Sequence, residues 1–396
     1  MEPGAVTDQA IAVFNSGSSS LKFALYRLAS RDPLSCICRG QISGISTNSH
    51  FYVRDAMGVV MLDEQGTISD HAAALKRLLQ WIDQQQPSVN IQAAAHRVVH
   101  GGISFRAPVL VDKEVLQQLR QLVSFAPLHQ PHNLHAIDEL RMLRPDLPQI
   151  ACFDTSFHCE MPMEAQRYAL PQVFFDQGVR AYGFHGLSYE YISSVLPDYL
   201  GARASGRVIV AHLGNGASMC ALRDGKSVAT TMGFSPLDGL VMGTRCGTID
   251  PGVLLYLLRQ GMSIDALDEL LYQRSGLLGL SGMSGDMQAL LASDDEPAIM
   301  AVQQFCYRAA REMGSLVVAL SGLDVIVFTG GIGEHSSVIR EQICQKLQWL
   351  GVKLSAADNV GNCACISTAE SLVSVWVIAT DEERVIAGYG QRFLAE

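Results

Sequence analysis

Residues 12 to 26 read AVFNSGSSSLKFALY and place a glycine and four serines between two apolar runs. After the turn, Leu21, Phe23 and Leu25 alternate with smaller or more polar residues, which is the period of a half-buried strand. The stretch therefore predicts a strand, a polar turn and a second strand. Such a turn can direct N–H groups and hydroxyls at a phosphate, but a plain surface hairpin has the same pattern. It is not a Walker loop, because the Gly-Lys-Ser/Thr ending is absent.

A weaker copy of this unit, RVIVAHLGNGASMCALRDG, begins at Arg207 in the other half of the chain. Two copies predict two similarly built domains. A third glycine turn follows Val325 in VIVFTGGIGEHSSVIREQI and leads through Ser336 into a helical pattern, where it can present a helix N-terminus to an anion or a nucleotide. Further periodic segments predict mixed α/β layers: strands at 11–14, 21–26, 207–213, 219–222, 325–329 and 373–379, and helices at 70–85, 114–123, 299–320 and 337–349.

Length and composition narrow the class of protein. A chain of 396 residues with 48% hydrophobic residues predicts two domains of ordinary size. The net charge is -10 and the sequence has no block of Lys or Arg, which argues against a nucleic-acid partner. The N-terminal stretch MEPGAVTDQA does not resemble a secretory signal, and glycines and Asp324 interrupt the most apolar window, so no membrane span is predicted. Ten scattered cysteines favour a reduced, cytoplasmic protein without a zinc site.

Two arginines stand in unusual surroundings. Arg97 lies between His96 and two valines in AHRVVHGG, and Arg245 lies among small residues in MGTRCGTIDPG. A guanidinium in such a segment needs an anionic partner, which is either an internal carboxylate or a bound ligand. Phosphoryl transfer requires cationic side chains of this kind, because the protein mainly positions the reactants and balances charge.

Other polar residues have both a chemical and a structural interpretation. Asp154 in CFDTSFH ends an apolar run, as a metal-binding carboxylate or a turn aspartate does. His185 in RAYGFHGLSYEY is either a donor to a phosphoryl oxygen or a satisfied core histidine. In ATDEERVIAGY, Thr380 and Glu383 predict a capping box, so a ligand role for Glu382 is the less favoured interpretation.

Together these segments resemble the acetate kinase family, which shares a superfamily with sugar kinases, actin and heat-shock ATPases. The resemblance rests on motifs in the family's order: NSGSSSLKF, HRVVHGG, APLH, FDTSFH, YGFHG, HLGNGAS, GFSPLDGLVMGTR, SGLLGLSG, GGIGEH and TDEE. It implies two duplicated actin-like, ribonuclease H-like domains with mixed sheets flanked by helices and an active-site cleft between them. The domains would be residues 1–153, completed by a C-terminal helix over 380–396, and residues 154–379. A homodimer is expected, with acetate and ATP as substrates and Mg²⁺, or alternatively Mn²⁺, as the metal.

The resemblance also implies residue roles. Asp154 and Glu382 would serve the metal directly or through water, with Asn15 beside them, while Arg97, Arg245, His185 and His129 would act on the carboxylate and the transferring phosphoryl group. Val99, Leu128, Phe184 and Pro236, with Arg97, would form the substrate pocket. ATP would contact the first hairpin and three later segments: Ser18, Ser20, Lys22, His212, Leu213, Gly214, Asn215, Gly216, Asp286, Met287, Gln288, Gly330, Gly331, Ile332, Gly333, Glu334 and His335.

Some positions depart from the family pattern. Cys246, Thr248, Asp381 and Gln288 stand where Ser, Asp, Asn and Arg are common, and Gln288 cannot supply an arginine's charge. Val99 stands where related propionate kinases tend to have a smaller residue, which favours acetate over propionate or butyrate. An actin-like nucleotide switch is the alternative from a different class, but it has no need for two arginines in such segments.

Overall fold

The computed structural model describes residues 8–28, 34–86 and 88–395. The chain divides into two compact units: unit 1 comprises Met1–Ser156 with Asp381–Glu396, and unit 2 comprises Phe157–Thr380. Most of the N-terminal stretch that the sequence distinguishes from a secretory signal lies outside the described residues.

The strands and helices of the described ranges are numbered in chain order. The strands are β1 Asp8–Ser16, β2 Ser20–Arg27, β3 Ser35–Ser43, β4 Ser49–Asp55, β5 Val60–Gly66, β6 Val89–Val98, β7 Val109–Leu110, β8 Gln149–Phe153, β9 Arg207–Leu213, β10 Ala217–Arg223, β11 Lys226–Thr230, β12 Val325–Thr329 and β13 Ser374–Val377. The helices are α1 His71–Gln85, α2 Lys113–Gln121, α3 Gln130–Leu143, α4 Met163–Gln166, α5 Gln172–Asp176, α6 Gly186–Leu200, α7 Pro251–Arg259, α8 Ile264–Gln273, α9 Gly276–Ser281, α10 Met287–Leu291, α11 Glu296–Leu320, α12 Gly330–His335, α13 Ser337–Gln345, α14 Ala356–Val360 and α15 Glu382–Ala395.

The sheet of unit 1 has the strand order β5-β4-β3-β2-β1-β6-β8-β7. Strands β1, β2 and β3 form an antiparallel meander, whereas β6 runs parallel to β1 and β8 runs parallel to β6. The aromatic rings of Phe23, Phe51 and Trp81 meet edge to face between the sheet and α1, with centroids 6.1 to 6.4 Å apart. This contact fills the core on that side of the sheet, because aromatic side chains bury a large apolar area each.

The sheet of unit 2 repeats this arrangement in the order β11-β10-β9-β12-β13. Strands β9, β10 and β11 are again antiparallel, and β12 and β13 are again parallel to β9. The two hairpins quoted from the sequence are therefore the first hairpins of two mixed sheets with one topology. The prediction of duplicated α/β layers is correct, and the periodic segments match the observed strands and helices to within a few residues at their ends.

The C-terminal helix corrects one sequence prediction. Helix α15 begins at Glu382, and the Oδ1 atom of Asp381 accepts a hydrogen bond from the N–H of Arg384 at 3.1 Å. Asp381 is therefore the N-cap, and the capping box predicted from Thr380 is wrong. The Thr380 hydroxyl instead lies 2.9 Å from the Ser188 hydroxyl. Both Thr and Asp suit an N-cap, and the sequence alone did not distinguish two adjacent candidates.

No helix among the described residues has the length and apolar character needed to cross a bilayer. None of the ten cysteines forms a disulfide, and several are buried in the sheets, as the sequence predicts.

Candidate active site

In unit 1 the candidate residues lie where three neighbouring parallel strands end. Strands β1, β6 and β8 run in the same direction, so their carboxyl ends meet at one edge of the sheet. Asn15 is near the end of β1, Arg97 near the end of β6, and Asp154 directly follows β8. Lys22 on β2 pairs in register with Asn15. This edge therefore brings together four residues that the family resemblance assigned to one site.

The strongest contact at this edge joins Arg97 to Asp154. The Nε atom of Arg97 donates to both carboxylate oxygens at 2.9 and 3.1 Å, and Nη2 donates to Oδ2 at 2.5 Å. Nη1 lies 3.4 Å from the Oδ1 atom of Asn15. The side chain of Asp154 is 2% exposed, whereas that of Arg97 is 21% exposed. The anionic partner that the sequence required for Arg97 is an internal carboxylate, and the guanidinium still reaches solvent.

Negative charge exceeds positive charge around this pair. Burial raises the pKa of the half-buried Glu382, and Asp154 and Asp381 raise it further against the opposing effect of Arg97 and Lys22. Burial and the neighbouring Glu382 also raise the pKa of Glu383. Burial lowers the pKa of Arg97, but Asp154 and Glu382 outweigh this effect and hold the guanidinium charged. A cation in addition to Arg97 would stabilise these carboxylates.

The start of α15 is fixed by side chains of the sheet. The hydroxyl of Tyr26 on β2 donates to Asp381 at 3.0 Å, and Arg39 on β3 lies 3.4 Å from the same carboxylate. Burial, with Asp381 as the next cause, raises the pKa of Tyr26. Because Asp381 caps α15, these contacts hold the helix end that carries Glu382.

The remaining candidates of unit 1 lie around the first turn of α3. Val99 directly follows β6 and is buried, while Leu128 and His129 precede α3 and are partly buried. His132, in the first turn of α3, stacks on His71 with ring centroids 5.5 Å apart. No group of three or more His, Cys, Asp or Glu residues disposed to hold a metal occurs in the part of the chain that the structure describes.

In unit 2, His185 has a backbone conformation that is uncommon for a residue with a side chain. Its φ angle is 57°, in the left-handed region, and it directly precedes α6. His158 holds this segment: its Nδ1 atom lies 2.8 Å from the Ser227 hydroxyl, and its Nε2 atom lies 3.0 Å from the carbonyl oxygen of Phe184. Burial lowers the pKa of His158 to about 4, so the ring is neutral and Nε2–H donates to the carbonyl. Phe184 itself is buried.

Two histidine rings and an arginine lie beside the first glycine turn of unit 2. The rings of His185 and His212 stack with centroids 4.5 Å apart and an interplanar angle of 29°. Both are oriented by serine hydroxyls, because the His185 Nδ1 atom lies 2.8 Å from Ser218 and the His212 Nδ1 atom lies 2.8 Å from Ser188. A Cβ atom added to Gly216 would lie 3.3 Å from His185 Nε2 and 3.9 Å from Arg245 Nη1. Glycine at this position therefore keeps the space beside both side chains open.

Arg245 is also tied to a predicted pocket residue. Its Nη1 atom donates to the carbonyl oxygen of Pro236 at 2.9 Å and lies 3.7 Å from the Met242 sulfur atom. The guanidinium is thus anchored on one side by a backbone carbonyl. An arginine can bind a carboxylate or a phosphate through two donors of its planar guanidinium.

Glycine segments from separate parts of unit 2 approach each other closely. The N–H of Gly243 donates to the carbonyl of Asn215 at 3.0 Å, and a Cβ atom on Gly243 would overlap the Asn215 side chain. A Cβ atom on Gly285 would lie 2.8 Å from the carbonyl of Gly243, and one on Gly330, at φ +76°, would lie 2.8 Å from the carbonyl of Leu213. The turns predicted to meet ATP are therefore neighbours in the fold.

The candidates at the two later ATP segments have structural partners. Asp286 caps α10, since its carboxylate accepts from the N–H of Gln288 at 3.2 Å, and Met287 is buried. Glu334 accepts from the N–H of Gly330 at 2.8 Å and from the N–H of Thr380 at 3.2 Å. Its carboxylate therefore holds the turn before α12 against the segment that precedes α15. Gly331, Ile332, Gly333 and His335 belong to α12.

Sequence reasoning missed the side chains that support these segments. Asn133 and Gln130 are buried polar residues of α3 that bind the backbone of Val99 and His100. Arg340, 1% exposed, donates to the carbonyls of Gly333 and Glu334 at 2.9 Å each. For Arg340 the available signal was a charged residue within the helix predicted at 337–349, because a buried guanidinium must have backbone or side-chain partners. No helix was predicted over α3, so Gln130 and Asn133 had no such signal.

Comparison with known proteins decides the family. The model of the acetokinase family matches residues 10–388. This chain belongs to the acetokinase family. The chain is 53% identical over 386 residues to an acetate kinase of Rhodopseudomonas palustris (strain ATCC BAA-98 / CGA009), and the match covers 95% of this chain and 96% of that protein. It is 47% identical over 387 residues to an acetate kinase of Methylocella silvestris, and this match covers 95% of this chain and 96% of that protein.

Solved structures agree with this assignment. The chain superposes on a propionate kinase from Francisella tularensis with a TM-score of 0.89 and 36% identity, over 96% of this chain and 98% of that one. It superposes on an acetate kinase from Porphyromonas gingivalis with a TM-score of 0.86 and 34% identity, over 98% of this chain and 100% of that one. The predicted actin-like fold and the phosphotransferase class are confirmed, and the nucleotide-switch alternative is excluded.

Proposed function

We propose that the protein is an acetate kinase that transfers the terminal phosphoryl group of ATP to acetate, reversibly, giving acetyl phosphate and ADP. The observation that carries the proposal is the Arg97–Asp154 pair, with Glu382 nearby, at the edge where β1, β6 and β8 end. In the reaction an acetate oxygen forms a bond to the γ-phosphorus while the bond from that phosphorus to the ADP oxygen breaks. The acetate kinases among its relatives, at 47 to 53% identity, support acetate as the acceptor.

The proposed roles of the positive side chains follow from their partners. Arg97, held by Asp154, is a fixed positive charge for the carboxylate or the phosphoryl oxygens. Arg245, anchored on Pro236, is a second such charge, and His185, oriented by Ser218, donates a hydrogen bond to the phosphoryl group. His129 has an accessory part in this site. Groups fixed before reaction stabilise the developing charge without reorganising, which is the main catalytic contribution in phosphoryl transfer.

The carboxylates of unit 1 fit Mg²⁺, with Mn²⁺ as an alternative ion. Glu382 and Asp154 offer hard oxygen ligands, and Asn15 adds an amide oxygen. Burial is the largest cause that raises the pKa of Glu382, and the charges of Asp154 and Asp381 raise it further, so a cation beside these carboxylates would be favourable. Magnesium commonly uses one or two carboxylates and completes its coordination with water and phosphate oxygens. The bound ion would neutralise charge on the phosphates. Glu382 and Asp154 would hold it, directly or through water, and Ser18, Ser20 and Lys22 would bind the phosphoryl group.

The glycine segments of unit 2 are proposed to bind the nucleotide. The turn His212–Gly216 would contact the phosphates, since its glycines leave its backbone accessible. The segments around Asp286 and from Gly330 to His335 would contact the nucleoside. Met287 and Gln288 would lie beside it, and Gln288 contributes a neutral amide.

Acetate is proposed to bind to Arg97 through its carboxylate, and the apolar residues proposed to contact its methyl group are Val99 and Leu128 of unit 1 and Phe184 and Pro236 of unit 2. The buried, β-branched Val99 leaves less room than a smaller residue would. Propionate is the second candidate, because a structural neighbour is a propionate kinase. A hydrophobic pocket separates such homologues by only about 1 to 3 kcal/mol per methylene, so both acids are expected to react at different rates.

The protein is further proposed to act as a cytoplasmic homodimer. Helix α7 is the feature that supports a partner, because its side chains include Leu255 and Tyr256, which are 52% and 59% exposed, and none of its residues is buried. An apolar helix with no buried residue is stable in water only when another surface covers it. A second copy of this chain is the proposed cover. The ten free thiols support a reducing compartment.

Hydroxylamine trapping tests the proposed function directly. The purified protein is incubated with ATP, Mg²⁺ and acetate, propionate or butyrate, and the acyl hydroxamate is measured. The expected result is rapid product from acetate and slower product from propionate. ATP hydrolysis without any hydroxamate would contradict the proposal.

A further inference from the structure

We infer that Asn133 is a positioning residue that sets the spacing between the phosphate turn and the acyl-pocket wall, an inference that rests on the proposed function. Asn133 lies on α3 and is 3% exposed. Its Nδ2 atom donates to the carbonyl of Ser16 at 2.7 Å, and its Oδ1 atom accepts from the N–H of Val99 at 3.0 Å. One amide therefore joins the hairpin turn to the residue proposed to limit the size of the acyl group.

The contact to Ser16 is part of a pattern around the turn. The carbonyl of Gly17 accepts from His71 Nε2 at 2.7 Å, and that of Ser19 accepts from the N–H of Ile45 at 3.1 Å. Carbonyl oxygens repel phosphate, so a phosphate turn needs them engaged elsewhere. In a trans peptide the next N–H points away from the carbonyl. The N–H groups of Ser18 and Ser20 are thereby directed away from the donors that hold the carbonyls of Gly17 and Ser19.

The contact to Val99 gives Asn133 its second effect. Val99 directly follows β6, where Arg97 lies two residues earlier, so the N–H of Val99 fixes the chain as it leaves the strand. A primary amide whose donor and acceptor are both used, and which is buried, holds its partners at a defined separation. The distance between the phosphate turn and the acyl wall is the distance across which the phosphoryl group must be transferred. Small misplacements of reacting groups lower rates strongly.

Gln130 provides a matched control on the same helix. It is also buried, and it binds the backbone of His100 through both ends of its amide, at 3.1 Å to the N–H and 3.0 Å to the carbonyl. The Nε2 atom of Gln130 also donates to the carbonyl of Leu119 at 3.5 Å. None of these contacts reaches the turn at residues 16–20. Replacing Asn133 with leucine removes two hydrogen bonds and replacing Gln130 with leucine removes three, so the control variant loses at least comparable stability. Of these two amides, Asn133 is the one that connects the two proposed substrate segments.

The test compares Asn133→Leu and Gln130→Leu with the wild-type enzyme in the hydroxamate assay, after the folded fraction of each is matched by thermal melting. Asn133→Leu is expected to raise KM for both ATP and acetate, on the order of tenfold each. This is the effect expected when each substrate segment loses about one hydrogen bond that holds it in place. Gln130→Leu is expected to keep both KM values within about twofold. The proposed function is tested by the wild-type enzyme alone, which must form acetyl phosphate. The inference about Asn133 is tested by the difference between the two variants, so the two can fail separately.

Amide hydrogen exchange supplies a readout that does not depend on activity. Asn133→Leu should accelerate exchange at Val99 and in the turn at residues 16–20 while leaving His100 protected. Gln130→Leu should do the reverse. Should Asn133→Leu not fold, Asn133→Ala takes its place with the same expectations. Equal kinetic and exchange effects in the Asn133 and Gln130 variants, or unchanged KM values in the Asn133 variant, would overturn the inference.

Discussion

Arg97 and Asp154 form a three-bond ion pair in which Nε contacts both carboxylate oxygens and Nη2 lies 2.5 Å from Oδ2. Asp154 is almost fully buried, while Arg97 keeps part of its guanidinium exposed. The pair therefore serves structure and presents a positive charge at the same time. This combination sets the first prediction.

Arg97→Ala is expected to lower kcat/KM for acetyl phosphate formation about a hundred- to thousandfold, because a fixed charge at the phosphoryl group is lost. It also leaves a buried carboxylate without its partner, which costs about 1 to 3 kcal/mol of unfolding free energy at this partly exposed site. Hydroxamate assays and urea unfolding measure the two effects. Arg97→Lys keeps the charge, so most of the stability should return, while the activity should remain low because the two-donor geometry is lost. Wild-type turnover in Arg97→Ala would contradict the assignment.

Val99→Ala is expected to raise the ratio of kcat/KM for propionate over acetate by about tenfold, since it removes two methyl groups from the proposed acyl wall. The ratio is measured in steady state with both acids at fixed ATP. Val98→Ala serves as the control, because Val98 is also buried but belongs to the cluster of Phe105 and Phe153. An equal shift in both variants would point to general loosening of β6 rather than to a pocket.

Glu382→Gln is expected to stabilise the protein in the absence of metal and to abolish stabilisation by Mg²⁺. The ordinary pKa of the carboxyl is 4.5, and it is raised in the folded state, so the folded protein binds the proton more tightly. The resulting stability is present below pH 4.5 and is lost as the pH rises through the folded-state pKa.

At pH 8, and without Mg²⁺ and ADP, the Glu382→Gln variant should therefore melt at a higher temperature than the wild type. With both added, only the wild type should gain stability. A variant that still gains stability with Mg²⁺ would remove Glu382 from the metal site.

Three buried histidines predict acid sensitivity. Burial lowers the pKa values of His96, His100 and His158 from 6.5 to about 4. As the pH falls below 6.5, the unfolded chain binds protons at these positions before the folded protein does. The free energy of unfolding is therefore highest above pH 6.5 and declines toward pH 4. Each histidine should lower the free energy of unfolding by about 2 kcal/mol between pH 8 and pH 5. Urea midpoints at both pH values measure the decline. A flat profile would contradict neutral burial.

The double variant Leu255→Asp with Tyr256→Asp is expected to convert the proposed dimer into monomers. The new carboxylates on α7 would lose their hydration in the interface. The free energy of that desolvation exceeds the favourable free energy of the apolar contact. Analytical ultracentrifugation at micromolar concentration measures the mass. Val360→Asp, at a position 75% exposed on α14, should remain dimeric. A monomeric wild type would refute this part of the proposal.

Local patterns predicted the elements of this fold because the hairpins and helices carry their own periodicity. NSGSSSLKF and HLGNGAS predicted equivalent hairpins, and both are found as the first two strands of their sheets. The Arg97–Asp154 contact was not predictable from spacing, since it joins two strands whose pairing depends on the whole sheet. Asn133 was missed for a similar reason: its partners, Ser16 and Val99, are distant in sequence. The cap of α15 was misassigned because Thr380 is engaged by Ser188, which also lies far away in the chain.

The position of α15 constrains how the protein is made. Unit 1 is completed by Asp381–Glu396, which the ribosome synthesises after all of unit 2. Domains generally fold as they emerge, so unit 2 can complete its structure during translation while unit 1 waits for its last helix. Glu382 then joins Arg97 and Asp154 late in biogenesis, so under the proposed function a nascent chain would not consume ATP before translation is nearly finished.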